Sequence, residues 1–225
     1  MGYDDVKSDA AQRGQLVNCI RFGTWNVGSL SGRSGELVEV LARRKIDFCC
    51  IQETRRKGGS ARWLGSHGMR YKLFWKGKED GNAGVGILVA EKWVENIVSI
   101  DRISERILIV KLLIDKRLAH VVSMYAPQTG RCDTEKDEFW DKATLILGKI
   151  PMQDLLLVGG DLNGHVGNSA NGFEGVHGGF GYGARNNDGV RILEFADSLS
   201  LVLCNTYFKK DPKYYILLHL VVTSL

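Results

Sequence analysis

The apolar residues of this chain come in short runs, most of them five to nine residues long, each closed by glycine or a polar cluster. Runs of that length, rich in Val, Ile and Leu, suit buried β-strands and are too short for most helices. None approaches the ~18 uninterrupted apolar residues of a membrane-spanning helix. The pattern predicts strands over 19–25, 47–52, 71–75, 86–90, 97–103, 106–114, 119–125, 154–158 and 201–205. Three segments repeat apolar positions at helical spacing instead. These are 36–45 (Leu37, Val38, Leu41), 135–147 (Phe139, Trp140, Ala143, Ile146, Leu147) and 189–199 (Val190, Leu193, Ala196). Ser34 is placed to cap the first helix, and Thr134 with Asp137 has the form of a capping box for the second.

Crossover helices at both ends surround a meander of strands. That order predicts two sheets packed face to face with helices outside, because a doubly wound parallel sheet needs more helices between its strands. No internal repeat or Pro/Ser-rich linker interrupts the pattern, so it reads as one domain over 18–208, preceded by a polar, aperiodic tail over 1–17. The 30 basic and 26 acidic side chains leave a net charge of +4, compatible with a polyanionic partner without requiring one. Glycine is plentiful, 27 of 225 residues against 3 prolines, and so serves loops of a folded protein. The five cysteines are odd in number and never spaced Cys-x-x-Cys, which argues against a disulfide framework or a cysteine zinc site. With no signal-peptide pattern at the start, the reading is a protein of the nucleus or cytoplasm, not a secreted one, and without membrane attachment.

Functional groups in sheet proteins with crossovers gather past the carboxyl ends of strands. Four predicted strands end in hydrogen-bonding residues: Thr24-Trp25-Asn26, Gln52-Glu53-Thr54, Tyr125-Ala126-Pro127 and Gly160-Asp161-Leu162-Asn163. Singly, each reads as a turn former or a solvated side chain. Together they are a set of carboxylate, amide and phenol groups suited to a hard cation such as Mg²⁺ and to phosphoryl oxygens, hence to phosphoester hydrolysis.

The same residues, in the same order over about 19–208, resemble the motifs of the endonuclease/exonuclease/phosphatase superfamily. Stretches 151–167, 178–183 and 191–196 are similar to one branch, the craniofacial development protein 2-like proteins and the apurinic-like endonuclease domains of RTE-type non-LTR retrotransposons. The resemblance implies a four-layer α/β sandwich, two packed mixed sheets with outer helices, and Mg²⁺-dependent cleavage of DNA, with Mn²⁺ as a substitute. It implies that Glu53 binds the metal with Asn26 beside it, that Asp161 orients or activates the attacking water, that Asn163 contacts the scissile phosphate and that Tyr125 donates to a phosphate oxygen. Phosphatases and sphingomyelinases share these motifs, so the substrate stays open on motifs alone. Arg55, Arg56, Lys57 and Arg62 follow Glu53 without an intervening acid, as a loop at the mouth of the cleft that would neutralise flanking phosphates. His165, two residues past Asn163, is an auxiliary candidate.

The family pattern continues with a late strand bearing an Asp and a Ser-Asp-His motif, and neither occurs in this sequence. The reading is therefore a fold lacking the family's last strands, a divergent ending over 209–225 and weak or absent activity; the competing reading is an inactive nucleic-acid-binding remnant. Residues 214–222 are rich in aromatic and branched side chains, so they are expected to dock on a sheet as a strand.

Overall fold

The structure, a computed structural model, describes residues 20–209 and 218–223, the last six as backbone. The tail over 1–17 lies outside the described residues. The strands are β1 (Phe22–Asn26), β2 (Phe48–Gln52), β3 (Gly59–Leu64), β4 (Tyr71–Lys76), β5 (Val85–Ala90), β6 (Ile97–Ser104), β7 (Ile107–Ile114), β8 (Arg117–Tyr125), β9 (Leu155–Asp161), β10 (Leu201–Leu203) and β11 (Leu218–Thr223). The helices are α1 (Ser34–Arg43), α2 (Asp133–Leu147) and α3 (Asn187–Ser198). One sheet runs β1-β2-β5-β4-β3 and the other β10-β11-β9-β8-β7-β6. Each is mixed, with one parallel pair, β1 with β2 and β8 with β9.

Three apolar layers hold four structural layers together. Alternate residues of a strand face opposite ways, so β2 sends Phe48 and Cys50 between the sheets and Cys49 and Ile51 toward α1. On the far side, Val122, Met124 and Val158 pack against Phe139 and Ala143 of α2 and Ile192 and Leu193 of α3. The four-layer sandwich expected from the sequence is the observed fold.

Gly159 sets how closely the sheets approach. A Cβ there would lie 2.8 Å from the Phe22 ring and 3.0 Å from Cys50 Cβ. Gly159→Ala is therefore expected to destabilise the fold by about 1–3 kcal/mol, as overpacking does. A urea midpoint unchanged from the parent would mean that the sheets are not in this contact.

Several local expectations are corrected. β3 falls where a loop was expected, and Arg62 sits on it. It is an edge strand, Gly-Ser-Ala-Arg-Trp-Leu, mostly exposed, with its two large apolar residues adjacent at the end, so no apolar alternation marks it. Ser34 lies inside α1, whose N-cap is Arg33, and Thr134 lies inside α2, whose N-cap is Cys132; neither helix has a side-chain cap. Asp137 is ion-paired with Arg191 of α3 instead of turning back on its own helix. Asn186 caps α3 by accepting from Gly189 N at 2.8 Å.

The chain's last described segment, β11, pairs antiparallel with both β9 and β10, with His219 opposite Gly160 and Leu201 opposite Thr223. Sheet docking is thus seen for 218–223, while 214–217 lie outside the described residues.

Candidate active site at the seam of the two sheets

The inward-facing residues of the four central strands grow more polar toward the strands' carboxyl ends. They read Phe22, Thr24, Asn26 on β1; Phe48, Cys50, Gln52 on β2; Val121, Ser123, Tyr125 on β8; and Leu157, Gly159, Asp161 on β9. The apolar members form the inter-sheet core. Above it, the fully buried Gln52 donates through Nε2 to Ser123 Oγ and Thr24 Oγ1, both at 3.3 Å, while Ser123 Oγ donates to Ile51 O at 3.3 Å. These bonds tie one sheet to the other just below the site and meet the rule that buried polar groups are paired. The sequence reading passed over Thr24, Gln52 and Ser123, although their period-2 placement was available as a signal.

At the top of the seam, Asn26 Nδ2 lies 2.8 Å from Glu53 Oε1 and 2.8 Å from Asp161 Oδ2. Tyr125 donates to the same Glu53 Oε1 at 3.0 Å. Asn26 and Glu53 come from one sheet, Tyr125 and Asp161 from the other, so each of two bonds crosses the seam. Glu53 leaves β2 with φ +57°, a strained backbone for a side-chain-bearing residue. It is framed by Val27 N to Gln52 O at 3.0 Å and Thr54 N to Gly84 O at 3.1 Å. Burial, reinforced by the Glu53 charge, pushes the Tyr125 phenol up to about 12, which keeps it a neutral donor at physiological pH.

Two expectations are adjusted by this geometry. Asn26 turns its NH₂, not its oxygen, to the carboxylates, because Oδ1 accepts from Gly28 N at 3.0 Å. Two acceptors on one side and a donor on the other fix that orientation. Asn163 belongs to the cluster through its backbone N, which donates to Asp161 Oδ1 at 3.2 Å, while its side-chain amide donates to Ala126 O at 2.9 Å.

The outlying candidates divide. Arg55 is exposed, with Nη2 3.8 Å from Glu53 Oε2. Arg56 lies over the Trp75 ring, and Lys57 and Arg62 are exposed. His165 contributes through its backbone, donating from N to Asn186 Oδ1 at 3.0 Å and accepting from Asn186 N at 3.1 Å. Among the described residues no histidine ring is hydrogen-bonded to the cluster. A buried ion pair missed from sequence, Lys136 Nζ to Asp188 Oδ1 at 2.8 Å, connects to the site through Thr129. Lys136 also donates to Thr129 O, and Thr129 Oγ1 donates to Asn163 O at 3.1 Å. Its partners lie 52 residues apart in the chain, beyond any local pattern.

Among the described residues no group of three or more His, Cys, Asp or Glu could hold a metal. The donor set is two carboxylates with amide and phenol neighbours. Mg²⁺ is bound in that way, through one or two carboxylates, with water and substrate phosphate completing its shell. The residues present fit that ion. Among the described residues no helix is long and apolar enough to cross a membrane.

This mixed-sheet sandwich is the fold of a known class of proteins: residues 23–187 match the Endonuclease/Exonuclease/phosphatase family. The chain belongs to that family. Craniofacial development protein 2 from Bos taurus is 27% identical over 214 residues, which are 93% of this chain and 35% of that protein. This chain thus spans about a third of the length of the curated relatives it matches. An AP endonuclease from Archaeoglobus fulgidus superposes with a TM-score of 0.64 at 16% identity, covering 91% of this chain and 86% of that one. The endonuclease domain of TRAS1, a telomere-specific non-LTR retrotransposon, does so with a TM-score of 0.58 at 14% identity, over 91% and 85%. At these identities the superpositions establish the fold.

Proposed function

We propose that this chain is a Mg²⁺-dependent phosphodiester hydrolase of the DNA endonuclease type, of retrotransposon descent. One observation carries the reading: a single Asn26 amide holds Glu53 and Asp161 together across the seam, with Tyr125 on the same Glu53 oxygen. Glu53 would hold Mg²⁺, which when bound polarises the phosphoryl oxygens. Asp161 orients the attacking water and accepts its proton, with Oδ1 steadied by Asn163 N. Tyr125, kept protonated, donates to a phosphate oxygen. Asn26 bridges and aligns the two carboxylates, and Arg55 and Lys57 add positive charge at the rim. The likeness in fold to the TRAS1 endonuclease domain and the branch motifs support the retrotransposon link. A DNA substrate fits a nuclear or cytoplasmic protein.

The rate should be low. Among the described residues no histidine ring is hydrogen-bonded to the cluster, and a site working without an imidazole general acid or base is typically slower by about 10²–10⁴-fold. The test is nicking of supercoiled plasmid by the 225-residue chain in Mg²⁺ or Mn²⁺, with EDTA and Glu53→Ala as controls. Slow nicking abolished by both controls is expected. DNA retention without cutting, weakening steeply with salt, would replace the hydrolase with a binding module.

A further inference from the structure

The basic run after Glu53 splits into two parts with different surroundings. Arg55 has a carboxylate partner in Glu53. Arg56, Lys57 and Arg62 have none: among the described residues no acidic oxygen lies within ion-pair distance of them.

The chain around them is held firmly. Thr54 N and Arg55 N donate to Gly84 O and Ala83 O, Gly77 N donates to Gly58 O at 2.7 Å, and Trp75 Nε1 donates to Lys57 O at 3.2 Å. Gly77 packs so tightly on the Arg56 carbonyl that no side chain fits there. From this frame the Arg56 guanidinium lies over the Trp75 ring, 5.4 Å from its centroid. Its Nε is buried without a hydrogen-bond partner, an unmet donor of the sort native proteins rarely keep.

Arg62 stands on β3, the strand next to the one that carries Trp75. It sits opposite Leu73 in the β3–β4 register, and Ser60 sits opposite Trp75. Side chains facing each other across an antiparallel pair share a face, and so do residues two apart on one strand. Arg62 and Trp75 are therefore diagonal neighbours on one face of the sheet, and Arg56 covers Trp75. Burial and the Arg62 charge both work against the charged form of Arg56. Two arginines beside Trp75, one with an unmet donor and neither with a counter-ion among the described residues, form a site that an anion completes. Their fork geometry matches phosphate oxygens.

We propose that Arg56 and Arg62 form one phosphate clamp that closes on a single backbone phosphate of bound DNA, separate from the Glu53–Asp161 centre. The identity of the anion rests on the hydrolase reading. Two residues separate Arg56 from Glu53, so their Cα atoms lie at most about 11 Å apart, which puts the clamp at the flank of the catalytic centre.

The probe is a short labelled duplex in EDTA, with affinity measured over a range of KCl concentrations. Each phosphate contact contributes about 0.9 to the slope of log affinity against log salt. Arg62→Gln and Arg56→Gln are each expected to lower the slope by about 0.9, and the double variant to lower it no further, because both arginines serve one phosphate. Lys142→Gln, on the exposed face of α2, should leave the slope unchanged. Arg62 is exposed, so its variant tests the idea even if the Arg56 change disturbs folding. An unchanged slope in Arg62→Gln would overturn the clamp, as would a double variant losing about 1.8. Nicking tests the hydrolase reading separately: no Mg²⁺-dependent cutting, with the slope pattern intact, leaves the clamp standing and removes the catalysis.

Discussion

Asp161→Asn is expected to slow Mg²⁺-dependent plasmid nicking by about 10²–10⁴-fold, the usual effect of removing a general base. The substitution keeps the shape of the side chain and removes its charge and proton affinity. Asp161 stands at the end of β9, 2.8 Å from Asn26 Nδ2 and 3.2 Å from Asn163 N. The one remaining oxygen can accept from only one of those donors, so some stability is lost and has to be measured apart from the rate. Single-turnover nicking with enzyme in excess, beside a thermal unfolding curve for each protein, separates the two effects. A variant that cuts as fast as the parent would remove Asp161 from the chemistry and make His165 the next residue to test.

Above pH 10 the folded state should lose stability steeply. Tyr125 and Tyr71 are each pushed up to about 12, Tyr125 mainly by burial and Glu53, Tyr71 mainly by burial and Asp47. An unfolded tyrosine ionises near pH 10. Below pH 10 both states keep the proton and the stabilisation is complete. Between 10 and about 12 only the unfolded chain releases it, so stability falls as pH rises, by roughly 2–3 kcal/mol for each tyrosine. The buried Cys49 thiol, also pushed up to about 12, adds to the same slope. Urea midpoints across that range should fall less in Tyr125→Phe than in the parent, by one tyrosine's share. Equal falls in the two proteins would mean that the Tyr125 hydroxyl is not buried against Glu53.

Much of the site was readable because it sits where short periodic runs stop. Asn26, Glu53, Tyr125 and Asp161 each lie at or one residue past the end of a buried strand, and a strand's end is visible as the loss of apolar alternation. β3 was missed for the same reason in reverse: a mostly exposed edge strand whose apolar residues, Trp63 and Leu64, are adjacent carries no alternation. The helix caps were misplaced because Ser34 and Thr134 fit a local pattern that neighbouring contacts overrode, Asp137 being drawn to Arg191 on another helix.

The sequence by itself determined the helices, the strands other than β3, the two-sheet sandwich and the placing of Asn26, Glu53, Tyr125 and Asp161 at strand ends, because period, run length and composition are local properties of the chain. Only the tertiary structure decided what those residues do to one another. It turned the Asn26 NH₂ toward both carboxylates, joined Gln52 to Ser123 beneath them, and divided the basic run between Glu53 and Trp75. Those outcomes depend on which strands become neighbours. Asn26 meets Asp161 across 135 residues of chain, and contacts at that separation are set by the packing of the sheets, which no local pattern of residues encodes.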